Sequence, residues 1–147
     1  MKLYLDVCCY NRPFDDFVND RIRMESEAVS VILERCEQGA YNLVSSDIVR
    51  YEISQIINQD KQDSVLRLSK TATKIVKVNN KIEKRAKEFE ALKVKPYDAL
   101  HLALAEDAKV DVFLTTDDRI LNKKDKLNIN FRILNPLDFI HEELVNE

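Results

Sequence analysis

Short apolar runs alternate with amphipathic helical stretches along the chain, and this alternation is what most restricts the folds open to it. Such a pattern predicts strands joined by helical crossovers, hence a mostly parallel sheet with helices on both faces. The first run, Lys2–Cys9, is short and mostly apolar and reads as the central strand of that sheet. Asp6 does not fit a buried strand, because an ionised side chain there needs a partner, a cation or a proton.

Downstream, Asn11–Asp16 is turn-like around Pro13. A helix follows from about Asn19 to Gln38, with Ile22, Val29, Ile32, Leu33 and Cys36 on one face and Gly39 as its left-handed stop. Tyr41–Ser45 reads as a second strand. Ser45, Ser46 or Asp47 then caps a helix to about Gln59, with Val49, Ile53, Ile56 and Ile57 as its apolar stripe and Glu52 among them. A short helix over Lys61–Lys70 and a third strand at Lys74–Val78 come next. Asn80–Glu83 has capping-box form and opens a helix that buries Ile82, Ala86 and Phe89. Pro96 starts another, carrying Asp98, His101, Leu102 and Ala105. Strands at Asp111–Thr115 and Asn130–Leu134 and a closing helix after Asn135-Pro136 complete a three-layer α/β/α sandwich with about five strands.

The 147 residues suit one domain spanning 1–147. No apolar run approaches the roughly 20 residues that cross a bilayer, and the N-terminus does not resemble a signal peptide, so a cytoplasmic protein without a membrane partner is expected. Cys8, Cys9 and Cys36 form neither a disulfide framework nor a C-x-x-C metal motif and read as reduced structural residues. Gly39 is the only glycine, which excludes glycine-rich phosphate loops.

Ligands of open α/β sheets sit beyond the carboxyl ends of the strands. Asp6 ends the first strand, Asp117 follows the fourth, Glu52 lies about two turns after the second, and Asp98 joins them if its helix starts at the same edge. Each acid alone has an ordinary explanation, such as a favourable place in a first helical turn. Together they would repel each other by about 4 kcal/mol per close pair at an effective dielectric of 20, a cost that bound divalent cations would remove. Oxygen-only ligands favour Mg²⁺ or Mn²⁺ over zinc. His101 reads first as a satisfied structural histidine, the alternative being a hydrogen bond to one of the acids. Between Lys70 and Lys95 nine basic residues face three acidic ones, against a net charge of −3. That run is either a solvated helix face or a phosphate-tracking surface leading to Asp98, and Arg12, Arg21 and Arg23 are further candidates for RNA contact, with Lys95. No aromatic stacking platform is evident.

These pieces resemble a PIN domain of the small stand-alone, VapC-like kind found as toxins of toxin–antitoxin pairs, over nearly the whole chain. Leu5-Asp6-Val7 with Asn11 resembles the family's opening motif, and Ser45-Ser46 with Glu52 its second. Asp98-Ala99-Leu100-His101-Leu102-Ala103 is close to the third, Thr115-Thr116-Asp117 resembles the fourth, and Asn135-Pro136 with Phe139 its usual close. The resemblance implies an acidic pocket of Asp6, Glu52, Asp98 and Asp117, with Asn11 and Thr115 as polar support. It also implies Mg²⁺- or Mn²⁺-dependent cleavage of RNA, an antitoxin partner and a homodimer. Asp118, beside Asp117, leaves open which of the two reaches the metal.

The expected activity is hydrolysis of RNA phosphodiester bonds by a water activated at the cation, leaving 5′-phosphates. A PIN-like binding module without catalysis, for RNA or a protein partner, is the alternative. A response-regulator receiver would want an acidic pair after strand one, and a haloacid-dehalogenase-type phosphatase would want Asp at position 8, where Cys8 stands.

Overall fold

Leu3, Tyr4 and Leu5 are fully buried in β1 (Lys2–Leu5), the middle strand of the molecule. The computed structural model describes residues 1–146. β1 pairs in parallel with β2 (Asn42–Ser46) on one side and β4 (Val112–Leu114) on the other, in register Leu3 to Leu43 and Leu3 to Val112. β3 (Lys74–Val76) and β5 (Arg132–Leu134) form the edges, giving the order β3-β2-β1-β4-β5 with every pairing parallel. Buried on both faces, the central strands need near-continuous apolar sequence, and β4 is Val-Phe-Leu.

The crossovers are helical. They are α1 (Val7–Asn11), α2 (Asp20–Glu37), α3 (Asp47–Ser54), α4 (Gln59–Ser69), α5 (Asn80–Ala91), α6 (Pro96–Asp107) and α7 (Asp118–Leu121), and α8 (Pro136–Val145) closes the described chain. α2 packs against α1 and α8, and α5 against α6, so helices cover the sheet in the expected three layers. Gly39 does stop α2, at φ 85°, with Ala40 N–H donating to Arg35 O at 2.9 Å.

Three sequence expectations shift. The first strand ends at Leu5 because Asp6 turns the chain: its carboxylate accepts Val7 N–H at 2.8 Å and caps α1, so Val7–Cys9 are helical. The helix after β2 is capped by Ser46 and stops at Ser54, not Gln59. There the Gln62 amide takes the carbonyls of Ile53, Ser54 and Ile56, Asn58 caps a new helix, and Ile57 is left fully exposed. The cap before Ile82 is Asn79, one residue earlier than the capping box, and its side chain accepts Ile82 N–H at 3.0 Å.

One buried charge ties the helices to the carboxyl edge of the sheet. Glu25 lies on the buried face of α2 with no solvent exposure. It accepts Arg12 Nε at 2.8 Å, Arg21 Nε at 3.2 Å and the Asn135 amide at the start of α8. Arg21 reaches on to Thr116 O at 3.3 Å, the backbone next to Asp117. Glu25→Ala leaves Arg12 with Asp15 and Arg21 with Asp118 but strips the buried Asn135 amide of its acceptor, so it should destabilise the fold by about 1–3 kcal/mol. Urea denaturation with an unchanged slope and a lowered midpoint would record it; an unmoved midpoint would contradict this account.

Candidate functional site

The strand order turns at β1: the chain lays down β2 and β3 on one side, then β4 and β5 on the other. Such a switch point leaves a crevice at the carboxyl ends of the strands on either side of it. Asp6 leaves β1 there and Asp117 leaves β4. Thr115 joins them, its hydroxyl donating to Asp6 Oδ2 at 2.9 Å and accepting Asp117 N–H at 3.1 Å. With that proton given to Asp6, the thiol of Cys8 is the donor in the 3.4 Å contact to Thr115 Oγ1, and Cys8 Sγ accepts Thr116 N–H at 3.3 Å. Asp6 is buried and both of its oxygens are engaged by donors. Asn11, one turn on, has a buried Oδ1 without a hydrogen-bond partner among the described residues.

Glu52 arrives from α3 and is held by a chain of buried groups. His101 Nε2 donates to Glu52 Oε1, since an ionised carboxylate only accepts. His101 Nδ1 meets the Tyr4 hydroxyl at 2.6 Å, and that hydroxyl meets Ser46 Oγ at 2.6 Å. Both Tyr4 and His101 are fully buried. The hydroxyls can reverse direction, so the chain serves neutral imidazole or imidazolium. Burial alone would lower the pKa of His101, but the hydrogen bond to Glu52 and the nearby Asp6, Glu52 and Asp98 outweigh it and raise it. His101 Nε2 also lies 3.9 Å from Asp6 Oδ1. The histidine thus takes the less ordinary of its two readings.

Asp98 stands in the first turn of α6, half-buried, without a hydrogen bond or ion pair among the described residues. Burial, then the charges of Asp6 and Asp117 and more weakly Glu52, push its pKa up to about 6. The charges of Asp6, Asp117 and Glu52 therefore all reach Asp98 at the same edge. Asp117 differs, because Arg119 clamps it through Nε at 3.1 Å and Nη2 at 2.8 Å while its carboxylate also accepts Arg119 N–H. That clamp lowers the Asp117 pKa despite burial. Asp118 is committed elsewhere, bound bidentately by Arg21 at 2.8 Å and 2.8 Å.

The arginines expected to meet RNA are engaged within the fold. Arg12 pairs with Glu25 and Asp15, Arg21 with Glu25 and Asp118, and Arg23 makes 3.4 Å contacts to Asp20 and Glu27 on the exposed side of α2. Lys95 does border the site: it lies in a cleft of about 350 Å³ with Asp98, Lys93, Arg119, Lys123 and Lys126. Lys123 and Lys126 come from the segment after α7, which the run at Lys70–Lys95 did not indicate. Arg119 was legible only as a neighbour of Asp117. Tyr4 carried a clearer signal, since two residues before Asp6 on a strand is the same face.

The donor set, four carboxylates, suits a hard divalent cation. The unpaired, half-buried Asp98 among three further acids is the observation that fits one. As the side chains stand, no group of three or more His, Cys, Asp or Glu residues among those described is arranged to hold a metal. The clamp of Arg119 on Asp117 occupies both oxygens of one candidate ligand.

A carboxyl whose pKa is raised on folding binds a proton as the chain folds. Its contribution to stability is therefore greatest below about pH 4, the ordinary aspartate range, and falls as pH rises to about 6, where Asp98 ionises. In EDTA, Asp98→Asn should melt above wild type at pH 8, with the difference closing near pH 4. Equal melting at pH 8 would refute the assigned strain.

The PIN domain family model matches residues 18–127, a span that holds Glu52, Asp98 and Asp117 and begins after Asp6. No curated protein matches the chain. Among solved structures, a chain of VapBC2 from Rickettsia felis, crystallised bound to a DNA fragment from their promoter, is 14% identical with a TM-score of 0.57 over 92% of this chain and 98% of that one. A chain of VapBC-1 from nontypeable Haemophilus influenzae is 15% identical with a TM-score of 0.56 over 92% and 98%. At such identities the two structures speak for the fold, and the family model covers most of the sequence: the chain belongs to the PIN domain family.

Proposed function

We propose that the chain is a divalent-cation-dependent endoribonuclease, the toxin of a toxin–antitoxin pair. The observation that carries this reading is the convergence of Asp6, Glu52, Asp98 and Asp117 on the β1–β4 edge with Asp98 left unpaired. Asp6, Asp98 and Asp117 are the residues that would hold Mg²⁺ or Mn²⁺, with Glu52 ligating directly or through water. When bound, the cation lowers the pKa of a water and stabilises the leaving oxygen.

The chain's own residues divide the remaining work. Thr115 and Val7 N–H fix the two Asp6 oxygens, so that acid presents its remaining lone pairs in one orientation. His101 fixes one oxygen of Glu52, and the other, without a hydrogen bond among the described residues, can accept a proton from the attacking water. Arg119 lowers the pKa of Asp117 and so makes that acid a poor base. Lys93, Lys95, Lys123 and Lys126 gather positive charge in the cleft at Asp98 and favour the approach of a phosphate backbone. Attack by water leaves a 5′-phosphate. The structures of VapBC2 and VapBC-1 support an antitoxin as the protein partner, and the family resemblance is the ground for proposing a homodimer.

Wild-type protein with Mn²⁺ should cleave RNA and stop in EDTA, while Asp6→Asn should lose about 10²-fold or more in rate with an unchanged circular dichroism spectrum. Cleavage by Asp6→Asn at the wild-type rate would end the proposal. The clamp of Arg119 on Asp117 favours one second reading, a catalytically silent module that binds RNA or a basic protein segment; binding without cleavage over a broad RNA panel would select it.

The gathered acids also predict a thermal response. Mn²⁺ at about 100 times its dissociation constant should stabilise the fold by about 2.7 kcal/mol. Differential scanning fluorimetry at rising Mn²⁺ checks this, and an unmoved melting temperature would count against a cation site.

A further inference from the structure

Resting on the nuclease reading above, we infer that Tyr51 and Tyr97 form a stacking seat for an unpaired nucleobase of the RNA beside the acidic cluster. The chain has five tyrosines. Tyr4, Tyr10 and Tyr41 are buried, whereas Tyr51 is 47% and Tyr97 46% exposed. Each exposed tyrosine directly precedes an acid of the cluster: Tyr51 precedes Glu52 on α3, and Tyr97 precedes Asp98 on α6. α3 and α6 touch, and they bring the two rings to 5.8 Å between centroids at an interplanar angle of 32°. Nothing in the core requires this arrangement, since the aromatic packing of the interior is made by Tyr4, Phe113, Phe131, Tyr41 and Phe139.

Aromatic rings next to a phosphate-attracting surface are the means by which proteins hold single strands, because every base has a π-face and a paired base cannot leave its duplex to use it. Here the phosphate-attracting surface is the lysine cleft, which includes Asp98 and Lys95 but neither tyrosine, so the two features adjoin Asp98 separately. A strand with one phosphate in the cleft and a neighbouring base on the tyrosines would cross the acids between them. Stacking tolerates all four bases, so the seat selects strandedness rather than sequence. A second copy of the chain is a poorer occupant. Two rings supply about 150–250 Å² each, against about 800 Å² per partner in a stable interface, and Glu52 and Asp98 would be covered along with them.

The test uses the full chain in Ca²⁺ in place of Mn²⁺, with a short single-stranded oligoribonucleotide carrying 2-aminopurine, read by fluorescence anisotropy and quenching. Tyr51→Ala with Tyr97→Ala should weaken binding by about 5- to 150-fold and abolish the quench, while Tyr51→Phe with Tyr97→Phe should keep both. An abasic position in the oligonucleotide should cost wild type a similar factor and the double alanine variant nothing further. Duplex RNA should bind wild type and variant alike. The inference is overturned if wild type does not bind the single strand, or if the alanine variant binds it as tightly. It also fails if the phenylalanine variant loses as much as alanine, or if sedimentation shows a wild-type dimer that the alanine variant dissociates. Cleavage by wild type in Mn²⁺ is scored separately: binding with quench but no cleavage would leave the seat standing and remove the nuclease reading, and cleavage with tyrosine-independent binding would do the reverse.

Discussion

Like charges held together at the end of a buried sheet are the constraint on which the rest of this structure depends. Carboxylates at close range repel by several kcal/mol per pair unless something answers their charge. Three of the four acids are answered locally: Asp6 by Val7 N–H and Thr115, Glu52 by His101, and Asp117 by Arg119. Asp98 has no hydrogen bond or ion pair among the described residues, and its proton affinity is raised first by burial and then by the charges of Asp6 and Asp117. The strain is thus concentrated on one residue at the helix start where the basic cleft opens.

The sheet supplies these answers because its side chains serve two ends at once. The Tyr4 ring stacks on Phe113 at 5.4 Å and 10°, holding β1 to β4, while its hydroxyl carries the chain from Ser46 to His101. Burial pushes the tyrosine pKa well above its ordinary value, so the group stays a neutral hydroxyl able to donate in either direction. Loss of this packing would therefore loosen Glu52 as well as the core. Thr115 does the corresponding work between β4 and β1.

Periodicity made most of the fold legible, because parallel strands buried on both faces must be apolar and their crossovers must be amphipathic. What it could not show was where a side chain ends an element. Asp6 closes β1 by capping α1, and Gln62 closes α3 by taking its free carbonyls, both through contacts that apolar patterning does not encode. The acids were legible by their place after strands, and the structure brings them to one edge. Their partners were legible less often: His101 had a hydrogen bond to an acid as one of its two readings, whereas Arg119 is recognisable as a partner only once the chain is folded. The tyrosine pair was missed for the same reason: Tyr51 and Tyr97 lie on separate helices that no local pattern joins.

The basic residues show how sequence proximity misleads about charge. Arg12 and Arg21 follow the first strand closely and read as free cations for a polyanion, yet both are committed to the buried Glu25. Glu25 itself sits at helical spacing from Val29 and Ile32 on the apolar stripe of α2, a place where a carboxylate persists only if guanidinium groups come to it. The lysines that share a cleft with Asp98 come from two segments about thirty residues apart, Lys93 and Lys95 before α6, and Lys123 and Lys126 after α7. A chain of net charge −3 can therefore hold a concentrated positive cleft, because what a polyanion meets is the local field set by the fold and not the sum over the sequence.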